Sequence, residues 1–193
     1  MSNIWGPMGW MTLHSISASY PDNPTESDKA ILNEYLNAFA HTIPCHICNS
    51  HFNNLFFKYK SNTPTWANSK NDLFIAICRM HNSVNSRLDK PRVITVAEAI
   101  QWLKNATAYT SQLDFKKNYL TYLFGQYNKT QPLQNGSVHK MKKITEEYWN
   151  SREISYSVLE IPEADVLSHT VEPVYNIPKF RVGLRSVRFR PPK

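Results

Sequence analysis

The chain has 193 residues, 41% hydrophobic and 12% aromatic, and a formal net charge of +7. That is enough apolar material for one well-cored domain with an appended piece. No apolar run is long enough to span a bilayer, and no basic segment followed by an apolar core marks the N-terminus for secretion. Three cysteines cannot staple a disulfide scaffold.

The charge is uneven. Residues 1–107 carry +2 and residues 108–193 carry +5, and from Lys179 onward there are six positive side chains and no negative one. Such a tail suits an acidic or anionic surface, or simply keeps an irregular end in solution.

In chain order, Pro7 can open a helix that runs through Tyr20 and stops at Pro21. Trp10, His14 and Ser17 share one face of it, with Leu13 beside them. On its own this pattern describes an aromatic core helix containing one satisfied histidine. A second helix is expected over 27–41, with Ile31, Leu32, Tyr35, Leu36 and Phe39 as its apolar stripe.

A third helix follows Pro44 and carries Cys45-x-x-Cys48, Phe52, Leu55 and Phe56. Cys45 falls at its N-terminus, where the macrodipole favours a thiolate, the form that attacks disulfides or binds metal. The pair therefore suits a reactive dithiol/disulfide. Zinc is the alternative, but it needs two further ligands, and no second close C-x-x-C or H-x₃-H pair exists. His46 and His51 are expected at the surface.

Residues 61–71 form a polar loop, and a fourth helix is expected over 71–88. One stripe is apolar: Leu73, Ile77, Met80, Val84 and Leu88. A second, Cys78, His81, Asn82 and Asn85, is polar and would need hydrogen-bond partners if buried. Taken alone, it describes a solvated face. Thr95-Val-Ala-Glu98 matches a capping box and opens a fifth helix with Val96, Ile100 and Leu103 apolar. A further aromatic-rich helix is expected over 111–127, a linker over 131–137 and a short helix over 141–149. Segments 154–158, 171–177 and 180–184 are β-prone and punctuated by proline, and are expected as extended arms. The fold class is all-α: a four-helix bundle with a short fifth helix over 1–107, then an irregular, partly extended extension over 108–193 with a basic tail.

Three motifs together resemble the Erv/ALR family of FAD-linked sulfhydryl oxidases over roughly residues 3–105. They are Trp5-Gly6-Pro-x-x-Trp10-x-x-Leu13-His14, then Pro44-Cys45-x-x-Cys48-x-x-x-Phe52, then Cys78-x-x-His81-Asn82-x-Val84-Asn85-x-x-Leu88-x-Lys90-Pro91. The resemblance reverses the bland readings of His14 and of the polar stripe. It implies a compact bundle holding FAD, with Cys45 and Cys48 beside the isoalloxazine as the catalytic pair. The cysteine matching Cys48 would be nearer the ring and make the charge-transfer contact. The one matching Cys45 would exchange with the incoming thiol. Trp5, Gly6, Trp10, His14, Cys78, His81, Asn82, Val84, Asn85 and Lys90 match cofactor-binding positions. The aromatic would stack, His and Asn would bond ring or ribose, and Lys90 would meet the phosphate side. No metal is implied. The implied activity is oxidation of substrate dithiols through the Cys45–Cys48 disulfide and FAD to O₂, giving H₂O₂, with the cofactor carrying the hard chemistry.

The departures from the family pattern are specific. Cys78 lacks the second cysteine it would pair with, so it is expected to be a buried free thiol. The aromatic usual two residues earlier is Ala76. No further C-x-x-C follows, so the shuttle must be another protein, or substrate thiols must reach Cys45 directly. This shuttle-less pattern resembles the oxidases of large cytoplasmic DNA viruses. It implies a homodimer in the host cytoplasm or the virion, with no need for nucleic acid. The competing reading is a helical, zinc-stabilised binding scaffold.

Overall fold

A computed structural model describes residues 2–109, 112–127 and 131–156. The regular structure among them is helical: α1 (Ser2–Ser19), α2 (Glu26–His41), α3 (His46–Asn62), α4 (Lys70–Arg87), α5 (Val96–Tyr109), α6 (Gln112–Gln126) and α7 (Pro132–Ile144). A π-helical turn at Thr145–Trp149 continues α7. None of these helices is long and apolar enough to cross a membrane.

Local chemistry sets the helix ends. Thr25 caps α2 in a capping box: its side chain accepts from the Asp28 N–H, and the Asp28 carboxylate accepts from the Thr25 N–H at 2.8 Å. Ser69 caps α4 through the Asp72 N–H. Thr95 accepts from the Glu98 N–H at 3.1 Å ahead of α5, as its motif predicts. The C-terminus of α4 closes in a Schellman arrangement. Asp89 takes a left-handed φ of 54°, its N–H bonds Ser86 O, and the Lys90 N–H reaches Asn85 O at 2.8 Å.

α1 is the axis of the molecule, with α4 and α5 against part of its surface and α6 against another. α7 lies on α2 and touches α6, while α3 packs on α2 and α4. One core runs through six helices, from Leu13 and Ile16 through Leu36, Leu55 and Leu73 to Tyr119, Leu123, Met141 and Trp149. A smaller core of Ala18, Phe74, Cys78, Val96, Ala99 and Leu103 seats α5 on α1 and α4. The closing turns bind back to the bundle. Asp28 accepts from Tyr148 and from Arg152, and the Ser155 N–H donates to Ala18 O at 3.0 Å. Burial opposes the charge on Asp28, but the bonds from Tyr148 and Thr25 together with Arg152 outweigh it and hold the carboxyl below its usual range.

Four expectations change. α1 begins ahead of Pro7, which sits inside the helix. So near the start of α1, the missing proline N–H removes only one early bond. Residues 131–137 are not a linker but the first half of α7, with Pro132 at its start, and the expected short helix over 141–149 is the end of that element. Val138 and Met141 are fully buried there, and packing on α2 and α6 outweighs the weak helix preference of the Gln-Asn-Gly-Ser run. Leu88 is 44% exposed, because the helix ends beneath it and turns its side chain out of the core stripe. His51 is half-buried rather than fully exposed and borders the cavity described below. Residues 154–156 are irregular, whereas the other expected arms and the basic tail lie outside the described residues.

Candidate functional site

Cys45 is the N-cap of α3. Its extended backbone follows Pro44, and its Sγ accepts from the Cys48 N–H at 3.2 Å. The two cysteines form a disulfide with Cα atoms 5.1 Å apart. Sγ of Cys45 thus sits against the first amides of a helix, where negative charge is favoured. Ile47, between the cysteines, is 71% exposed. The pair is reachable from outside on that side.

On its other side the pair borders a cavity of about 390 Å³, within the range of pockets that hold organic ligands. Cys48 lines this cavity and Cys45 does not. α1 contributes Trp5, Gly6, Trp10 and His14 to the wall. α4 contributes Cys78, His81, Asn82, Val84 and Asn85, and Lys90 stands at the rim just beyond it. All ten positions expected to contact a cofactor therefore border one space, although they come from segments up to 85 residues apart, Trp5 to Lys90.

The rings are ordered. Trp10 stacks on His81 with centroids 4.2 Å apart and planes 8° from parallel. Phe52 lies 6.1 Å from Trp10 and 5.5 Å from Phe39, so an aromatic row joins α1, α2 and α3. Behind the stack, His14 Nε2 and His81 Nδ1 share a hydrogen at 2.9 Å. Burial lowers the His14 pKa to about 4. Burial, then the neighbouring His14 and Lys90, keep His81 well below the ordinary histidine value. Both rings are therefore neutral near pH 7. Cys78 is a free, buried thiol 3.9 Å from His14 Nδ1, and burial pushes its pKa up.

The asparagines of α4 hold the rim. Asn82 donates to Val93 O at 2.6 Å and accepts from the Val93 N–H at 3.0 Å. Asn85 donates to Pro91 O at 3.0 Å. Together with the Schellman turn, these bonds fix the 88–93 segment as a wall and set Lys90 beside the opening.

Sequence reasoning missed part of the lining. His51 is one turn beyond Cys48 on the same face of α3, and its ring borders the cavity. The i, i+3 spacing from Cys48 was the available signal. Phe39 and Leu103 were read only as apolar helix positions and Trp102 was not singled out; all three border the same space. Trp102 is also 55% exposed, at the mouth. Among the described residues no group of three or more His, Cys, Asp or Glu side chains converges as a metal site would require.

The profile of the Erv1 / Alr family matches residues 7–106, just over half of the chain. The chain belongs to the Erv1 / Alr family. Its Erv1 / Alr relatives include the mitochondrial FAD-linked sulfhydryl oxidase ERV1 of Saccharomyces cerevisiae, 37% identical over 87 residues, which are 45% of this chain and 44% of the yeast protein. The FAD-linked sulfhydryl oxidase of African swine fever virus is 31% identical over 94 residues, 49% of this chain and 75% of the viral one. The FAD-linked sulfhydryl oxidase ERV1 of Arabidopsis thaliana is 33% identical over 85 residues, 44% of this chain and 42% of the plant protein. The chain thus spans about half the length of several of the relatives it matches. No solved structure gives a significant match. The matched stretch contains the cavity-lining residues from Pro7 to Leu103, leaves out Trp5 and Gly6, and excludes α6 and α7.

Proposed function

We propose that the chain is an FAD-dependent thiol oxidase that makes disulfides in substrate dithiols. The observation that carries this reading is the position of the Cys45–Cys48 disulfide, with Cys45 outside and Cys48 on the wall of a cavity bordered by the Trp10–His81 stack. The relatives' names point the same way.

The residues suit a flavin. The walls are mostly apolar and aromatic, with a few polar groups. His81 Nδ1 is engaged by His14, which leaves Nε2 as the ring nitrogen available to the cavity that His81 lines. Beyond the adjoining residues and backbone of α1, a Cβ placed on Gly6 would meet no atom within 4 Å, so there is open space at that point. Arg87 and Lys90 bring two positive charges to the mouth, where a diphosphate would be stabilised. FAD bound here would accept two electrons from the dithiol and deliver them to O₂, giving H₂O₂.

The chain's own steps follow from the geometry. A substrate thiolate attacks Cys45 Sγ, the S–S bond to Cys48 breaks, and Cys48 leaves as a thiolate at the cavity wall. A second substrate thiolate attacks the mixed disulfide, closes the substrate disulfide and leaves Cys45 as a thiolate at the helix N-terminus, where the amides of α3 stabilise it. Two electrons have then moved from substrate to the Cys45–Cys48 pair. Trp10 and His81 orient the ring system, and the 88–93 wall keeps water from that side.

The catalytic unit in this reading is residues 1–107, with 108–193 as an extension. In this reading electrons reach Cys45 from a C-x-x-C carrier or directly from the thiols of a protein substrate; Cys45, Cys48 and Cys78 are the three cysteines of the sequence. A homodimer, and residence in host cytoplasm or virion, rest on the family likeness and its viral members. The α6 residues Tyr119, aromatic, and Leu123, aliphatic, lie inside the protomer and do not argue for a dimer.

The test is oxygen consumption with a small dithiol. Wild type should turn over, and Cys48→Ser should stop turnover while retaining bound flavin. Stoichiometric zinc with no flavin would support the scaffold reading instead.

A further inference from the structure

Cys78 and His14 stand behind the Trp10–His81 stack and form a line with His81, and the thiol chemistry above makes no use of that line. Cys78 Sγ lies 3.9 Å from His14 Nδ1, and His14 Nε2 lies 2.9 Å from His81 Nδ1. A neutral imidazole carries one N–H, so the shared contact admits two arrangements. In one, His14 donates from Nε2, His81 accepts at Nδ1, and His81 keeps its hydrogen on Nε2. In the other, every direction is reversed and His81 Nε2 is bare.

Cys78 decides between them. It is the free cysteine, 3% exposed, and sits in the small core with Phe74, Val96, Ala99 and Leu103. A buried thiol is a hydrogen donor and only a weak acceptor. Facing it, a bare His14 Nδ1 accepts that hydrogen, whereas a protonated Nδ1 would find only the weak sulfur acceptor. We propose that Cys78 is a positioning residue: its S–H directs the chain Cys78 → His14 → His81, which presents His81 Nε2–H as a fixed donor to an acceptor atom of the cavity's ligand. The ligand's identity rests on the flavin reading; the direction of the chain does not. No proton or electron is transferred, and the three groups act by orientation alone. The stack with Trp10 fixes the ring plane, and the hydrogen-bond line fixes which edge donates.

The test is ¹⁵N NMR of histidine-labelled protein at pH 7, in both the flavin-bound and flavin-free forms. His14 and His81 should each show one protonated nitrogen, Nε2. A protonated Nδ1 on His81 would overturn the proposal outright. Cys78→Ala should shift both rings toward a mixture of the two tautomers, and Cys78→Ser, which keeps a donor, should restore the single form. Unchanged Nε2–H tautomers in Cys78→Ala would also overturn the proposal, because something else would then set the direction. Should the alanine variant not fold, the wild-type and serine spectra still decide the assignment. If the protein takes up no flavin, the oxidase reading fails, while the flavin-free spectra still judge the chain.

Discussion

Trp10 and His81 lie face to face, ring centroids 4.2 Å apart, and they come from two different helices, α1 and α4. Whatever fills the cavity therefore meets a surface set by the docking of those helices rather than by one loop. Trp10→Ala removes the larger ring and its contact with Phe52. Stacking of this kind is worth about 0.5–1.5 kcal/mol beyond buried area, and with the lost area the flavin should bind at least ~10-fold more weakly. Trp10→Phe should recover most of that. Quenching of flavin fluorescence on titration with protein measures it, and unchanged affinity in Trp10→Ala would remove the ring from the ligand's surroundings.

The two buried histidines make stability depend on pH in a defined direction. His14 falls from 6.5 to about 4 on folding, and His81 moves the same way. The unfolded chain thus binds more protons in that window, and stability falls as pH falls. The contribution of His14 is fully present above about pH 6.5 and disappears as pH drops toward 4. It amounts to roughly 3 kcal/mol at most. Urea unfolding at pH 7 and pH 5 should show the loss, and His14→Gln should flatten it.

The left-handed Asp89 gives a second stability test. A non-glycine residue there is strained by about 1 kcal/mol, while glycine adopts the conformation freely. Asp89→Gly should raise stability by up to ~1 kcal/mol, less what glycine adds to the freedom of the unfolded chain. Asp89→Val should lower stability and loosen the 88–93 wall, which would appear as weaker flavin binding.

How much the residues revealed differed along the chain. Helices α1 to α5 were legible because amphipathic stripes, caps and prolines agreed with one another, whereas the candidate site residues read as ordinary core and solvated positions one by one and stood out only through the family resemblance of three motifs, whose residues border one cavity. α7 was not. Its Gln-Asn-Gly-Ser stretch carries linker chemistry, and only burial of Val138 and Met141 against α2 makes it helical. His51 was missed because histidine on a polar helix reads as solvated, and only the position of the cavity shows otherwise. For Asn82 and Asn85 a sequence can indicate that partners are needed but not that the partners are Val93 and Pro91.

α6 and α7 lie outside the family match yet share the main core. Leu123 is fully buried, so Leu123→Ala should destabilise the whole protein by about 2–5 kcal/mol in one cooperative transition. Thermal unfolding followed by circular dichroism measures this. Separate melting of the C-terminal helices, with α1 to α5 unaffected, would make them an independent unit.

The most direct test of the account is the visible spectrum of the purified protein before and after anaerobic addition of a small dithiol. The protein should be yellow, lose its flavin band when the dithiol is added, and regain it on admission of air. Wild type should bleach and Cys48→Ser should not. A colourless protein that takes up no FAD, or a yellow one whose band persists in the presence of the dithiol, would contradict the claim that Cys48 faces a flavin.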